Sequence, residues 1–256
     1  MKSISDYFDL AVDTFDTGYL DPKRRYHLIR RRDVIIEEFE SLGCLPGDGP
    51  WLDAGCGAGV LAFAIAARNF QIFGVDLSVN MIERCLANAS RLDLSSKAAF
   101  HIGDVESLPY ANGSLAGIIC SGVIEYCNEP AIVMGEFARV LRPNAPVIIT
   151  FNNALSPYRW VSGPIKRLAQ RLIRGKTSLP ENQSYALWRA RRLLEEAGIS
   201  VVGWRFHTFA GRVRESWFPP LIIARRLEIL SRVPVVRGLG WGLVIVGRRT
   251  DSVLHN

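Results

Sequence analysis

The stretch Trp51-Leu52-Asp53-Ala54-Gly55-Cys56-Gly57-Ala58-Gly59-Val60-Leu61 constrains this chain more than any other. It reads as a short buried strand ending at Asp53, a turn with three glycines, and a helix running to about Arg68. A chain that reverses so quickly from strand to helix needs backbone angles that a Cβ disfavours, and a ligand lying on the turn needs bare backbone. A helix opening near Ala58 would aim N–H groups and a partial positive charge at that ligand. The nicotinamide pattern Gly-x-Gly-x-x-Gly is not met, because the third position is Val60. Asp53, two residues before Gly55, suits a ligand with a positive group better than a pyrophosphate.

Strands and helices alternate between residues 50 and 152, which argues a parallel sheet with crossover helices. Strands are expected at 50–54, 71–76, 99–103, 116–121 and 147–151, with helices at 58–68, 79–92 and 131–141. Ser78 is placed as a helix cap and Pro143 follows a helix end. Two helices, 4–16 and 22–43, precede this core, and Gly43 ends the second. Its first half carries Lys23, Arg24, Arg25, Arg30, Arg31 and Arg32, either a solvated face or part of a surface for an anionic partner.

Asp76 ends the second strand, 23 residues after Asp53, where an acid can accept hydrogen bonds from both hydroxyls of a ribose. Further on comes Gly103-Asp104-Val105-Glu106-Ser107-Leu108-Pro109-Tyr110. The Asp53–Gly59 turn resembles motif I of the class I S-adenosylmethionine-dependent methyltransferases, and 103–109 resembles their G-D-x-x-x-L-P segment. Leu141-Arg142-Pro143-Asn144 and Val123-Ile124-Glu125-Tyr126 are similar to two further stretches of that family, nearest its quinone-type, small-molecule branch.

The resemblance implies a Rossmann-like doubly wound α/β sheet of seven strands, mostly parallel with an antiparallel edge strand, helices on both faces. Strands six and seven then fall at about 200–207 and 242–247. It implies S-adenosyl-L-methionine as cofactor, its methionine end on Asp53, Gly55, Cys56, Gly57 and Gly59, the ammonium suiting the acid and the carboxylate suiting backbone N–H groups. Asp76 and Leu77 would take the ribose, Asp104 and Val105 the adenine, with Ser121 at the exit of strand four. N-terminal aromatics, here Tyr7 and Phe8, can close over the cofactor in such proteins. Two departures stand out. Asn144-Ala145 replaces Gly-Gly, which asparagine tolerates, and Tyr126 stands where the oxygen-methylating quinone enzymes carry a histidine.

Methyl transfer is an in-line displacement for which a protein supplies position and, for some acceptors, a base. The candidate catalytic residues are Glu125, Tyr126 and His207; no metal site is readable. Five cysteines without a C-x-x-C pair suggest a reducing, cytoplasmic setting, and neither a signal peptide nor a spanning segment is expected. Three regions are expected: an N-terminal helical cap (1–48), a cofactor-binding core (49–152), and a C-terminal half of the same domain (153–256).

Charge is unevenly divided: residues 1–150 carry 13 Lys+Arg against 19 Asp+Glu, residues 151–250 carry 18 against 5. Residues 158–176 and 217–237 combine helical apolar spacing with arginines and lysines. They read either as a contact surface for an anionic membrane, making the enzyme peripheral on the inner face, or as a lid over a substrate pocket. The expected partner is a small, lipophilic, lipid-linked acceptor. RNA or protein methylation through the basic half is the alternative, and a nicotinamide-dependent oxidoreductase a weaker one. Nucleic acid is disfavoured, since neither an Asn/Asp-Pro-Pro-aromatic run nor a Pro-Cys pair follows strand four.

Overall fold

The computed structural model describes residues 8, 9, 12, 22–160, 182–209, 221–234 and 236–250. Helix α1 (Pro22–Ser41) leads into β1 (Trp51–Ala54), α2 (Val60–Ala66), β2 (Ile72–Asp76), α3 (Val79–Arg91) and β3 (Ala98–Ile102). Then come β4 (Gly117–Cys120), α4 (Pro130–Val140), β5 (Pro146–Asn152), α5 (Leu187–Glu196), β6 (Ile199–His207), α6 (Leu221–Leu227) and β7 (Gly242–Arg249). Local chemistry sets several boundaries. Ser78 caps α3 by accepting from the Met81 N–H at 3.1 Å, and Pro130 begins α4, where its missing N–H costs nothing. Gly43 and Asn144 take the left-handed conformation, at φ 65° and 60°.

The seven strands form one sheet in the order β3-β2-β1-β4-β5-β7-β6. β1 to β5 pair in parallel, and β7 runs antiparallel to both β5 and β6. This is the expected mostly parallel architecture. Its antiparallel strand takes the place next to the edge, and β6 the edge itself. The reason is topological: β5, α5 and β6 form a parallel crossover that leaves one slot open, and β7 returns to fill it.

Side chains alternate across the sheet, so each strand feeds two cores. Leu52, Ile118, Val147 and Ile245 face Val133, Phe137 and Leu194 of α4 and α5. Trp51, Ile72, Ile119, Ile148 and Val244 face Ile35, Phe39, Ile65 and Ile82 of α1, α2 and α3. The expected helix 4–16 is described only at Phe8, Asp9 and Val12, all helical. Of the two basic insertions, 161–176 and 217–220 lie outside the described residues. The second continues as α6 and two short 3-10 turns, Glu228–Arg232 and Arg237–Leu239. Among the described residues no helix is long and apolar enough to cross a membrane.

Candidate active site

The strand order reverses between β1 and β4, and the carboxyl ends of β1, β2 and β4 open into a cleft of about 250 Å³. Each glycine of the β1–α2 turn has a different role there, and all three have positive φ. A Cβ on Gly55 would lie 2.2 Å from Val123 Cγ2, so this glycine lets the loop after β4 close on the turn. A Cβ on Gly59 would meet Phe63 at 2.6 Å and the Cys85 sulfur at 3.0 Å, a packing requirement. A Cβ on Gly57 would meet nothing within 4 Å: its bare backbone borders open space in the cleft.

Two acids support this turn from below. Asp76 accepts from the Gly57 N–H at 2.8 Å through Oδ2 and from the Ser78 N–H at 3.0 Å through Oδ1, tying the end of β2 to the turn. Asp53 accepts from the Ala62 N–H at 3.1 Å in the first turn of α2. Burial raises both carboxyls, Asp53 to about 7, with the charge of Asp76 adding to the effect on Asp53. After β3, Asp104 accepts from the Glu106 N–H at 2.9 Å, which turns the backbone and presents Val105 at the cleft wall.

Of the expected cofactor residues, Asp53, Gly55, Cys56, Gly57, Asp76 and Leu77 line the cleft, as do Asp104, Val105 and Ser121. Gly59 lies outside the lining, beneath the turn. Within the turn the N–H groups of Gly55 and Cys56 donate to Val75 O, that of Gly57 to Asp76 and that of Gly59 to Cys56 O. The helix also begins at Val60 rather than Ala58.

The candidate catalytic residues separate. Tyr126 lines the cleft, receives a hydrogen bond from Asn182 Nδ2 at 3.3 Å and meets Phe8 edge-on at 5.4 Å between ring centres. Glu125 is buried beside it, outside the lining, and its carbonyl accepts from the Gln183 N–H. His207 is buried at the end of β6, away from the cleft lining, its Nδ1 2.7 Å from Thr208 Oγ1. Burial first, then the charges of Arg31, Arg30 and Arg205, lower its pKa to about 3, so it is a neutral ring at working pH and a poor base. Among the described residues no group of His, Cys, Asp and Glu could hold a metal ion.

Several features escape sequence reasoning. Arg31 and Met81 line the cleft, and Asp9 accepts a hydrogen bond from Ser78 Oγ, holding the N-terminal segment against α3. Glu228, the acid of the second insertion, accepts from the Thr208 and Phe209 N–H groups and pairs with Arg30 at 3.3 Å, fixing the insertion to α1 and the end of β6. Spacing along the chain gives no signal for either.

The site fits a nucleoside bearing an amino-acid end on its own geometry. Gly57 leaves a backbone surface clear, Asp53 is a buried acid raised toward neutrality, and Ser121 Oγ is buried without a partner in the protein. A doubly wound sheet with a cleft at its switch point, underlain by acids at the ends of β1 and β2, suits a nucleoside ligand. A family model described as a methyltransferase domain matches residues 47–198, and the chain belongs to that family, the class I S-adenosylmethionine-dependent methyltransferases.

The chain is 29% identical over 142 residues to the malonyl-(acyl-carrier protein) O-methyltransferase of Methylovorus sp. (strain MP688), covering 53% of this chain and 45% of that protein. It is 25% identical over 126 residues to the ubiquinone biosynthesis O-methyltransferase of Xanthomonas oryzae pv. oryzae (strain PXO99A), covering 48% and 52%. The matched region thus spans about half the length of these curated relatives. Among solved structures, magnesium protoporphyrin IX methyltransferase from Synechocystis PCC 6803 has the same fold, with a TM-score of 0.69 at 17% identity over 96% of this chain and 98% of that one.

Proposed function

We propose that this chain transfers the methyl group of S-adenosylmethionine to a small, lipophilic acceptor held at the exit of β4. The observation that carries this reading is the wall of the cleft there: Phe8, Val123, Tyr126 and Cys127, an apolar and aromatic set beside the glycine turn. Such a wall suits a compact apolar acceptor better than a polynucleotide backbone. The names of the relatives, which methylate an acyl-carrier-linked acid or act in quinone biosynthesis, support a small acceptor.

The cofactor, when bound, supplies an activated methyl carbon on a sulfonium. Asp76 and Asp104 would hold its sugar and base, and Asp53 would neutralise its ammonium. On the acceptor side the chain orients the nucleophile and excludes water. Gln183 donates to Cys127 O at 2.9 Å and Tyr185 donates to Gln183 Oε1 at 2.9 Å, which fixes residues 182–185 against the Glu125–Cys127 turn. The Cys127 thiol is pushed up to about 12 by burial and nearby acids, so it is not a thiolate nucleophile. Tyr126, which lines the cleft, would be the hydroxyl that receives or returns a proton. The reaction therefore relies on position more than on a strong base.

Peripheral binding at an anionic membrane completes the reading. Trp160 and Ile229 are 62% and 63% exposed, in or beside segments rich in arginine. Mass spectrometry of methylated products from cells with and without the enzyme tests the acceptor: a lipophilic small molecule supports the reading, and methylated RNA or protein contradicts it. Co-sedimentation with phosphatidylglycerol vesicles and with RNA at two salt concentrations separates the two kinds of docking.

A further inference from the structure

The described residues that line the cleft include four carboxylic side chains, Asp53, Asp76, Asp104 and Glu106, against one guanidinium, Arg31. Three of the four are tied into the loops that carry them. Asp53 accepts from the Ala62 N–H, Asp76 from the Gly57 and Ser78 N–H groups, and Asp104 from the Glu106 N–H. Glu106 differs: it lines the cleft, and its carboxylate makes no hydrogen bond or ion pair among the described residues.

Its charge bears on the wall at the exit of β4. Burial first, then the charges of Glu106, Glu125 and Asp104, push up the Cys127 thiol on that wall. The same wall presents the rings of Phe8 and Tyr126, edge-on at 5.4 Å between centres. Aromatic faces attract a cation, and nearby carboxylates add to the attraction.

Charge flow in the reaction decides which nucleophile such a wall suits. An oxygen acceptor attacks best as an anion, which the neighbouring carboxylates would repel. A primary or secondary amine attacks while neutral. Its lone pair forms the new N–C bond as the S–C bond breaks with its electrons going to sulfur, and the positive charge passes from sulfur to nitrogen. One N–H proton of the resulting ammonium then leaves to water.

We infer that the acceptor is a neutral primary or secondary amine on an apolar body, and that Glu106, with the Phe8 and Tyr126 rings, stabilises the ammonium forming on its nitrogen. This rests on the methyl-transfer reading proposed above and names the acceptor's class. A hydroxyl acceptor deprotonated by Glu106 is the rival.

The test is calorimetric titration of the full chain, loaded with S-adenosylhomocysteine, with choline and with the isosteric dimethylbutanol, in which a carbon replaces the ammonium nitrogen. Choline mimics a methylated ammonium product. Wild-type chain is expected to bind choline at least about tenfold more tightly than the neutral alcohol. Glu106→Gln keeps the shape and is expected to cut that preference below about threefold, while S-adenosylhomocysteine affinity stays within about twofold and reports an intact pocket. If that variant fails to fold, Tyr126→Leu, which removes a ring, is read in the same way and should lower the preference by about threefold. Equal affinities in the wild type, no measurable binding of choline, or a preference untouched by Glu106→Gln overturns the assignment, and tighter binding of the alcohol favours the hydroxyl rival. A wild-type chain that does not bind S-adenosylhomocysteine overturns the cofactor reading and this inference with it.

Discussion

Asp53 and His207 are both fully buried ionisable groups near strand carboxyl ends, and burial drives both toward their neutral forms, yet only one belongs to the cleft. Asp53 is raised to about 7 beneath the glycine turn, with a second acid, Asp76, as the neighbour whose charge adds to the shift. A cationic ligand beside it would oppose that shift and favour the charged carboxylate. His207 is lowered to about 3 among three arginines, and its ring lies against Gly242, where a Cβ would come 2.4 Å from Nε2. Its Nε2 is buried without a hydrogen-bond partner among the described residues, and the ring lies outside the cleft lining. A perturbed buried group marks a site when a cleft reaches it and the missing charge is one a ligand can bring.

The largest effect should come from the histidine side of this comparison. Glu228→Ala removes the acid that holds Arg30 and the Thr208 and Phe209 N–H groups, and is expected to cost about 3 kcal/mol in urea unfolding. S-adenosylhomocysteine affinity should stay within about twofold of wild type. A loss of affinity as large as the loss of stability would join the two regions functionally.

The pH dependence of stability comes next. Asp53, raised on folding, contributes stability that is present below its usual carboxylate range and lost as pH rises through about 7. His207, depressed on folding, contributes stability that is present above the usual imidazole range and lost as pH falls toward about 3. Between about pH 4 and pH 6.5 the two slopes oppose one another, each worth at most about 1.4 kcal/mol per pH unit. Relative to wild type, Asp53→Asn should therefore make unfolding free energy rise more steeply with pH in this window, and His207→Asn should make it fall. Denaturant titrations at three pH values check both signs, and parallel curves for all three proteins would refute the burial argument.

Asp76→Ala should weaken S-adenosylhomocysteine by about tenfold or more in calorimetry while circular dichroism stays native. Unchanged affinity would remove the ribose assignment. The smallest change is expected from Phe8→Ala, which loses the edge-on contact with Tyr126, for about 1 kcal/mol in acceptor binding and little in cofactor affinity.

The cofactor side of the molecule was legible because its signals are local. Alternating strand and helix periods place β1 to β5 within a residue or two, Ser78 caps where expected, and Asn144 takes the left-handed turn. Asp53, Asp76 and Asp104 fall at strand ends, and strand ends of a parallel sheet converge on one cleft. The other side depends on tertiary contacts that spacing does not encode. Arg31 is one of six cations between residues 23 and 32, and only the packing of α1 turns it inward. Glu228 pairs with Arg30 across 198 positions. His207 ends a strand like a site residue, but β6 is the edge strand, far in the sheet order from the β1–β4 reversal.

The central claim is that the glycine turn and its acids hold a sulfonium nucleoside, and one titration tests it most directly: wild-type chain against S-adenosylhomocysteine and against NADH. Saturable one-site binding of S-adenosylhomocysteine, with no measurable heat from NADH, is the predicted result. Preferential binding of NADH, or no binding of S-adenosylhomocysteine at all, would contradict it.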